Sequence, residues 1–149
     1  MASASKNVQP NLFAFLMCEN IVMDGEIAIL WRVVDTFSYE LRLPETVPRE
    51  VQDTLNFNLS CHLFTRWGPP GEGDFEVQLG LITPNGEEVT REEPRGFKLA
   101  GGSFHQTVWD VQLGVCNPGI YNWVLYLDGR EFARLPFTVN INRQPAQAK

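Results

Sequence analysis

The sequence is short of the residues that most often carry chemistry. It has only two histidines and three cysteines, and Cys18, Cys61 and Cys116 form no Cys-x-x-Cys pair. An odd, unspaced set of this kind points to reduced, buried thiols and a cytoplasmic protein rather than to a disulfide framework. Long hydrophobic runs are missing: none approaches the roughly 18 residues that a membrane helix needs. Basic runs are missing as well. Twelve Lys and Arg stand against 18 Asp and Glu, a net charge of −6, and that field repels phosphate backbones and anionic lipid. Neither nucleic acid nor membrane is an expected partner. No Gly-x-Ser-x-Gly elbow occurs, and Gly101-Gly102-Ser103 has neither the spacing nor the following helix of a phosphate-cradling loop.

Helical periodicity is nearly absent too, and what replaces it is alternation. In LNFNLSCHL, Leu55, Phe57, Leu59, Cys61 and Leu63 fall on one face of an extended chain, with Asn56, Asn58, Ser60 and His62 on the other. FEVQLGLI repeats the pattern with Phe75, Val77, Leu79 and Leu81, and WDVQLGV with Trp109, Val111, Leu113 and Val115. Short strands punctuated by Gly and Pro, in a chain that is 44% hydrophobic with ten Phe and four Trp, predict an all-β fold: an immunoglobulin-like antiparallel β-sandwich of one domain. A chain of 149 residues buries roughly 70% of the surface it exposes when unfolded, enough for one core.

The expected limits are a flexible N-terminus over 1–10, the sandwich over 11–142 and a disordered tail over 143–149. LFAFLMC (12–18) has no small-residue cleavage site after it and reads as a strand rather than a leader. With IAILWRVV (27–34) it forms a pair of extra N-terminal strands, joined at Asp24-Gly25 and apolar on both faces, which predicts a central position or a covering element. Pro44 and Pro48 exclude a central strand there and suggest a loop or short helical turn around PREVQD. Residues 86–103 read as a loose edge strand or loop.

Near the C-terminus, Asn117-Pro118-Gly119 ends one strand and starts another, and Tyr121 stands two positions before Trp123. This is the arrangement of a tyrosine corner, with a Trp where an antibody domain has its second Cys, so no inter-sheet disulfide is implied. Tyr121, Trp123, Leu125, Ala133, Leu135, Phe137 and Val139 all carry odd numbers. A three-residue loop, Leu127-Asp128-Gly129 with a left-handed Gly129, keeps both sets on one face and is the predicted hairpin; a bulge near Pro136 is the alternative.

Taken together, CENIVMDGEIAILWRVVDTFSYELRLPETVP, FEVQLGLITPNGEEV and NPGIYNWVLYLDGREFARLPFTVNI resemble a family of small bacterial proteins of uncharacterised function. The resemblance covers about residues 11–142. It implies an immunoglobulin-like sandwich in a bacterium and brings no catalytic residues.

No catalytic, cofactor or metal residue is expected. Cys61 and His62 are neighbours on a strand, so they face opposite ways and cannot share an ion. Ser103, His105 and Asp110 do not align as a relay, since His105 and Asp110 differ by five positions. Glu87/Glu88 and Glu92/Glu93 read as solvated loop carboxylates. The candidate interaction surface is the end of the sandwich where the loop after Trp67 meets the last hairpin. It gathers Trp67, Pro69, Pro70, Glu72, Asp74, Asp128 and Arg130, an aromatic, stiff prolines and charges of the sort recognition loops use. Against this, Trp67 also suits an inward plug, and the carboxylates lack the Asp-x-Asp spacing of a Ca²⁺ loop. Tyr126 and Phe132 fall on the outward hairpin face by parity, open to another copy or covered by the extra strands. The expected function is a non-catalytic protein-interaction or assembly module, with homo-oligomerisation among its partners. A small-ligand or carbohydrate-binding sandwich using Trp67 and Tyr126 as stacking platforms is the alternative.

Overall fold

Alternation builds both inner faces. In the computed structural model, which describes residues 7–43, 46, 48 and 56–145, ten strands form in chain order: β1 (Asn11–Asp24), β2 (Ile27–Val33), β3 (Thr36–Leu43), β4 (Phe57–Gly68), β5 (Gly73–Ile82), β6 (Glu88–Arg91), β7 (Arg95–Leu99), β8 (His105–Val115), β9 (Gly119–Leu127) and β10 (Arg130–Pro145). They make two sheets, β2-β1-β4-β8 and β3-β10-β9-β5-β6, with β7 also on β5. The protein is an all-β sandwich. Leu59, Cys61 and Leu63 of β4, Val77, Leu79 and Leu81 of β5, and Trp109 and Val111 of β8 are buried between the sheets, as their alternation predicts. Trp67, Trp109 and Trp123 are almost fully buried, and each removes roughly 150–250 Å² from water, which makes them the largest single contributors to the core. Leu55 and residues 49–53 of the turn expected around PREVQD lie outside the described residues.

The tyrosine corner is present. The Tyr121 hydroxyl donates to the Asn117 carbonyl at 2.8 Å, while its ring stacks on Phe137 with centroids 5.3 Å apart. Tyr121→Phe is expected to lower stability by about 1 kcal/mol, the net worth of one such bond. Urea midpoints measure this, and an unchanged midpoint would mean that the corner is held by ring packing alone.

The last hairpin differs from its expected form. Leu127 pairs with Arg130, so the loop has two residues, Asp128 at φ 49° and Gly129 at φ 79°. Asp-Gly favours the type I′ turn, whose twist matches that of the strands and which needs positive φ at both central positions. Parity is restored by a bulge at Phe132, where Glu131 pairs with Tyr126 but Ala133 with Leu125. The bulge therefore lies next to the turn rather than near Pro136.

At the sheet edges, β3 runs parallel to β10 from Thr36↔Thr138 to Leu43↔Pro145. That ladder carries β10 to Pro145, past the expected start of a loose tail at 143. Residues 86–103 supply two short strands, which pair in succession with one edge of β5: β6 along Gly80–Ile82 and β7 along Gly73–Val77. The segment 27–34 corrects its expected place. Among the described residues β2 is the edge strand of its sheet and pairs only with β1, along Cys18–Asp24. β1 pairs with β4 only up to Cys18↔His62. Beyond that point the hairpin turns across the outer face of the sheet, and its tip reaches β8, where the Gln106 amide donates to the Glu26 carbonyl at 3.3 Å. Ala28 and Leu30 of β2 share a groove with the outward-facing Phe64, while the other face of the strand stands in water, so a strand that reads as buried lies at an edge.

Candidate interaction site

β4 delivers Trp67 to the inside of the expected recognition end. The indole is fully buried, stacked against Phe97 at 6.0 Å and edge-on to Phe132 at 5.0 Å. It is a plug and presents no surface. The loop behind it is strapped by the N-terminal segment. Val8 and Glu72 exchange backbone hydrogen bonds of 2.9 and 3.0 Å, the Asn7 amide donates to the Asp74 carbonyl at 2.8 Å, and the Asn11 amide to the Pro69 carbonyl at 3.1 Å. These bonds also tie residues 7–10, part of the stretch expected to be flexible, and Asn11 to the sandwich.

The end does gather charged groups. The Asp128 carboxylate accepts from the Glu76 backbone N–H at 2.8 Å, and Asp74, Glu76, Lys98 and Asp128 line an open cleft of about 560 Å³. Arg130, Glu131 and Phe132 line a second of about 440 Å³ with Asn7 and Gln9. Pro70, Glu72, Asp74, Asp128 and Arg130 are exposed, and Pro69 is half-buried. Among the described residues, no three His, Cys, Asp or Glu side chains converge as metal ligands would.

Tyr126 and Phe132 do not form an exposed pair. Tyr126 faces outward but is buried under β6: the Arg91 guanidinium lies 3.8 Å from its ring centroid, and its hydroxyl donates to Glu88 at 2.8 Å. The bonds from Arg91 and Tyr126 hold the Glu88 carboxyl below the usual carboxylate range. Phe132 is the bulged residue, and the bulge turns its ring inward onto Trp67.

Both histidines are held by neighbouring side chains. His105 stacks flat on Phe97 at 4.5 Å, its Nε2 lies 3.1 Å from the Thr107 hydroxyl, and burial pushes its pKa down. In the folded protein His105 binds its proton less readily than in the unfolded chain. Its contribution to stability is therefore complete above the ordinary histidine pKa and is lost as the pH falls through it toward the lower folded value. Unfolding free energy should decline between pH 7 and 5 for the wild type, and His105→Gln should flatten that decline; an equal slope in the variant would assign it elsewhere.

His62, expected on the polar face, lies on the outer side of its sheet, where its Nδ1 is 2.5 Å from Asp110 directly across on β8. Cys18 pairs with His62 from the other side, so one row holds a thiol, an imidazole and a carboxylate. The row is not poised for nucleophilic attack. Cys18 is fully buried, burial pushes its thiol pKa up, and its Sγ–H points to the His62 carbonyl at 3.8 Å; a protonated thiol is a poor nucleophile. Cys61 points into the core on the opposite face, where burial pushes its thiol up to about 12.

The exposed feature that alternation did not reveal is the β1–β2 hairpin. On its outer face Val22, Ile27, Ile29, Trp31 and Val33 stand in water, Ile27 at 65% and Trp31 at 56% exposure. Ala28 and Leu30 point the other way and line a groove of about 820 Å³ with Phe64, Arg66 and Phe104. The groove thus lies between β2 and residues of β4 and β8, and no residue of β1 lines it. A clue was available in the sequence: IAILWRVV, apolar at nearly every position, has no polar face to turn to water if it ends up at an edge.

No protein-family model and no curated protein sequence matches the chain. Among solved structures, similarity is found to a β-glucosidase from Listeria innocua in complex with glucose, at 8% identity over 91% of this chain and 17% of that one, with a TM-score of 0.45. A β-glucosidase involved in saponin metabolism from intestinal bacteria is similar at 15% identity over 85% of this chain and 16% of that one, with a TM-score of 0.40. The Pseudomonas fluorescens alkylpurine DNA glycosylase AlkC, bound to DNA containing an abasic site analog, is similar at 10% identity over 71% and 28%, with a TM-score of 0.35. The chain thus spans less than a third of each of these proteins. Similarity this distant carries no activity across.

Proposed function

We propose that the protein is a non-catalytic interaction or assembly module that works through its β1–β2 hairpin. The observation that carries this reading is the outer face of the β1–β2 hairpin: four large aliphatic or aromatic side chains of β2 and Val22 of β1 in water, with Arg32 the only charged residue on β2. Exposed apolar patches of this kind mark contact sites, and a free strand edge adds a row of unpaired backbone groups. The loop over 67–74 is the weaker surface, because its aromatic anchor is buried and its backbone is strapped by the N-terminal segment. The immunoglobulin-like reading is part of the same proposal and rests on the order β1-β4-β8 against β10-β9-β5 and on the Tyr121 corner; we also keep the bacterial, cytoplasmic origin that the sequence suggests.

The test is affinity capture from native lysate with the wild type and with Trp31→Lys. A stoichiometric partner retained by the wild type and lost from the equally folded variant is the expected result. Identical captures by both would move function away from the hairpin.

A second reading, small-ligand binding, is favoured by the groove, where the Arg66 guanidinium sits 4.3 Å from the Phe104 ring centroid and the buried Gln106 Oε1 accepts no hydrogen bond among the described residues. Its platform would be Phe104, because Trp67 and Tyr126 are both covered. Titration with a panel of mono- and oligosaccharides, read by melting temperature, should then show a rise that Phe104→Ala removes.

A further inference from the structure

We infer that the partner of the hairpin is a second copy of this chain, joined β2 to β2 in an antiparallel pair centred on Leu30. This rests on the reading of the hairpin as the contact surface and names its occupant. Among the described residues no other strand closes the second edge of β2, and the sequence of the strand is nearly palindromic in character. Two copies aligned about Leu30 set Ile27 against Val33 and Ile29 against Trp31, each pair twice, with Leu30 against itself. Every outward pair is apolar, and directly opposed β-branched and aromatic residues are the favourable cross-strand combinations. Arg32, which stands at φ 54° with its side chain exposed, falls opposite Ala28, so no like charges meet, and it keeps its own partner, Glu19, at 3.4 Å.

Charge favours this surface over the others for self-association. Each copy carries a net −6, so contact through a carboxylate-lined end such as Asp74, Glu76 and Asp128 would set negative groups against each other, whereas β2 brings none. Edge pairing sets the flanks of Ile27, Ile29, Trp31 and Val33 against those of the other copy and joins the unpaired backbone groups of the two strands. The result is an isologous two-fold dimer with one continuous eight-stranded sheet, made of two four-stranded halves.

Light scattering on the full chain over a concentration series tests the pairing. The wild type should approach twice 16.9 kDa as concentration rises, and Trp31→Lys should remain at the single-chain mass with an unchanged circular dichroism spectrum. The register is tested by charge exchange. Ile27→Lys and Val33→Glu should each be monomeric alone, and an equimolar mixture should regain the dimer mass, since the introduced lysine then faces the introduced glutamate. A wild type that stays monomeric overturns the inference, as does a dimer that survives Trp31→Lys, or a mixture that stays monomeric. If the wild type is monomeric yet still retains a lysate partner that Trp31→Lys loses, the hairpin remains the contact surface and only self-pairing fails.

Discussion

Trp67→Ala is expected to cost about 3–5 kcal/mol, the range for removing a fully buried large aromatic without collapse of its site. Collapse is hindered because the indole is held between rings from two other strands, Phe97 of β7 and Phe132 of β10, and each of those is fixed by its own ladder. Phe97 in turn carries Phe75 and His105 on its faces, so the vacancy would loosen the junction of β4, β7, β8 and β10. Denaturant unfolding of the variant measures the loss. A double-mutant cycle with Phe132→Ala should give a coupling of about 0.5–1.5 kcal/mol, the excess worth of an aromatic pair. Additive losses would show that the two rings fill space independently. If instead Trp67→Ala left stability unchanged, the indole would not be the plug that its burial indicates.

Gly119→Ala should be nearly as severe, at roughly 2–4 kcal/mol, because strain and collision act together there. Gly119 opens β9 at φ 135°, a conformation that side chains rarely adopt. An added Cβ would also stand 2.8 Å from Pro84 of the turn after β5, and the proline ring has little freedom to move aside. Gly102 provides the control. It sits at φ 78° with no atom within 4 Å of an added Cβ, so Gly102→Ala should show the backbone strain alone, about 1 kcal/mol. Equal losses at the two positions would mean that the Pro84 contact contributes nothing and that the corner can relax.

The alternating segments were legible because burial on one face of a strand imposes period two on the sequence directly. Leu59, Cys61 and Leu63 illustrate it: each is fully or almost fully buried, and His62 between them is not. Tyr121 was legible for a related reason, since its corner is a local motif read from Asn117 to Trp123. The hairpin parity was not. A one-residue bulge resets the register at no cost visible in composition, so the same odd-numbered apolar set is compatible with a three-residue loop or with a two-residue turn followed by a bulge at Phe132. That ambiguity decided the fate of Phe132, which parity placed outside and the bulge turned onto Trp67. Tyr126 was placed on the correct face, but what covers it, the Glu88–Arg91 pair of β6, belongs to a strand of four exposed residues that gives no hydrophobic signal at all.

By itself the sequence determined the class of the fold, most of the strands and the inward residues of β4, β5, β8 and β9, because backbone pleating and the gain from burying apolar surface act over a few neighbouring residues. It also determined the negative field of the chain. Only the tertiary structure decided that Trp67 is a plug, that residues 7–11 strap the 69–74 loop, and that β2 is an edge with an apolar face in water. An apolar strand reads the same whether its second face meets another layer or solvent. The difference lies in where the chain turns after Cys18 and leaves β4, a choice made by contacts with residues more than forty positions away, such as His62 and Gln106.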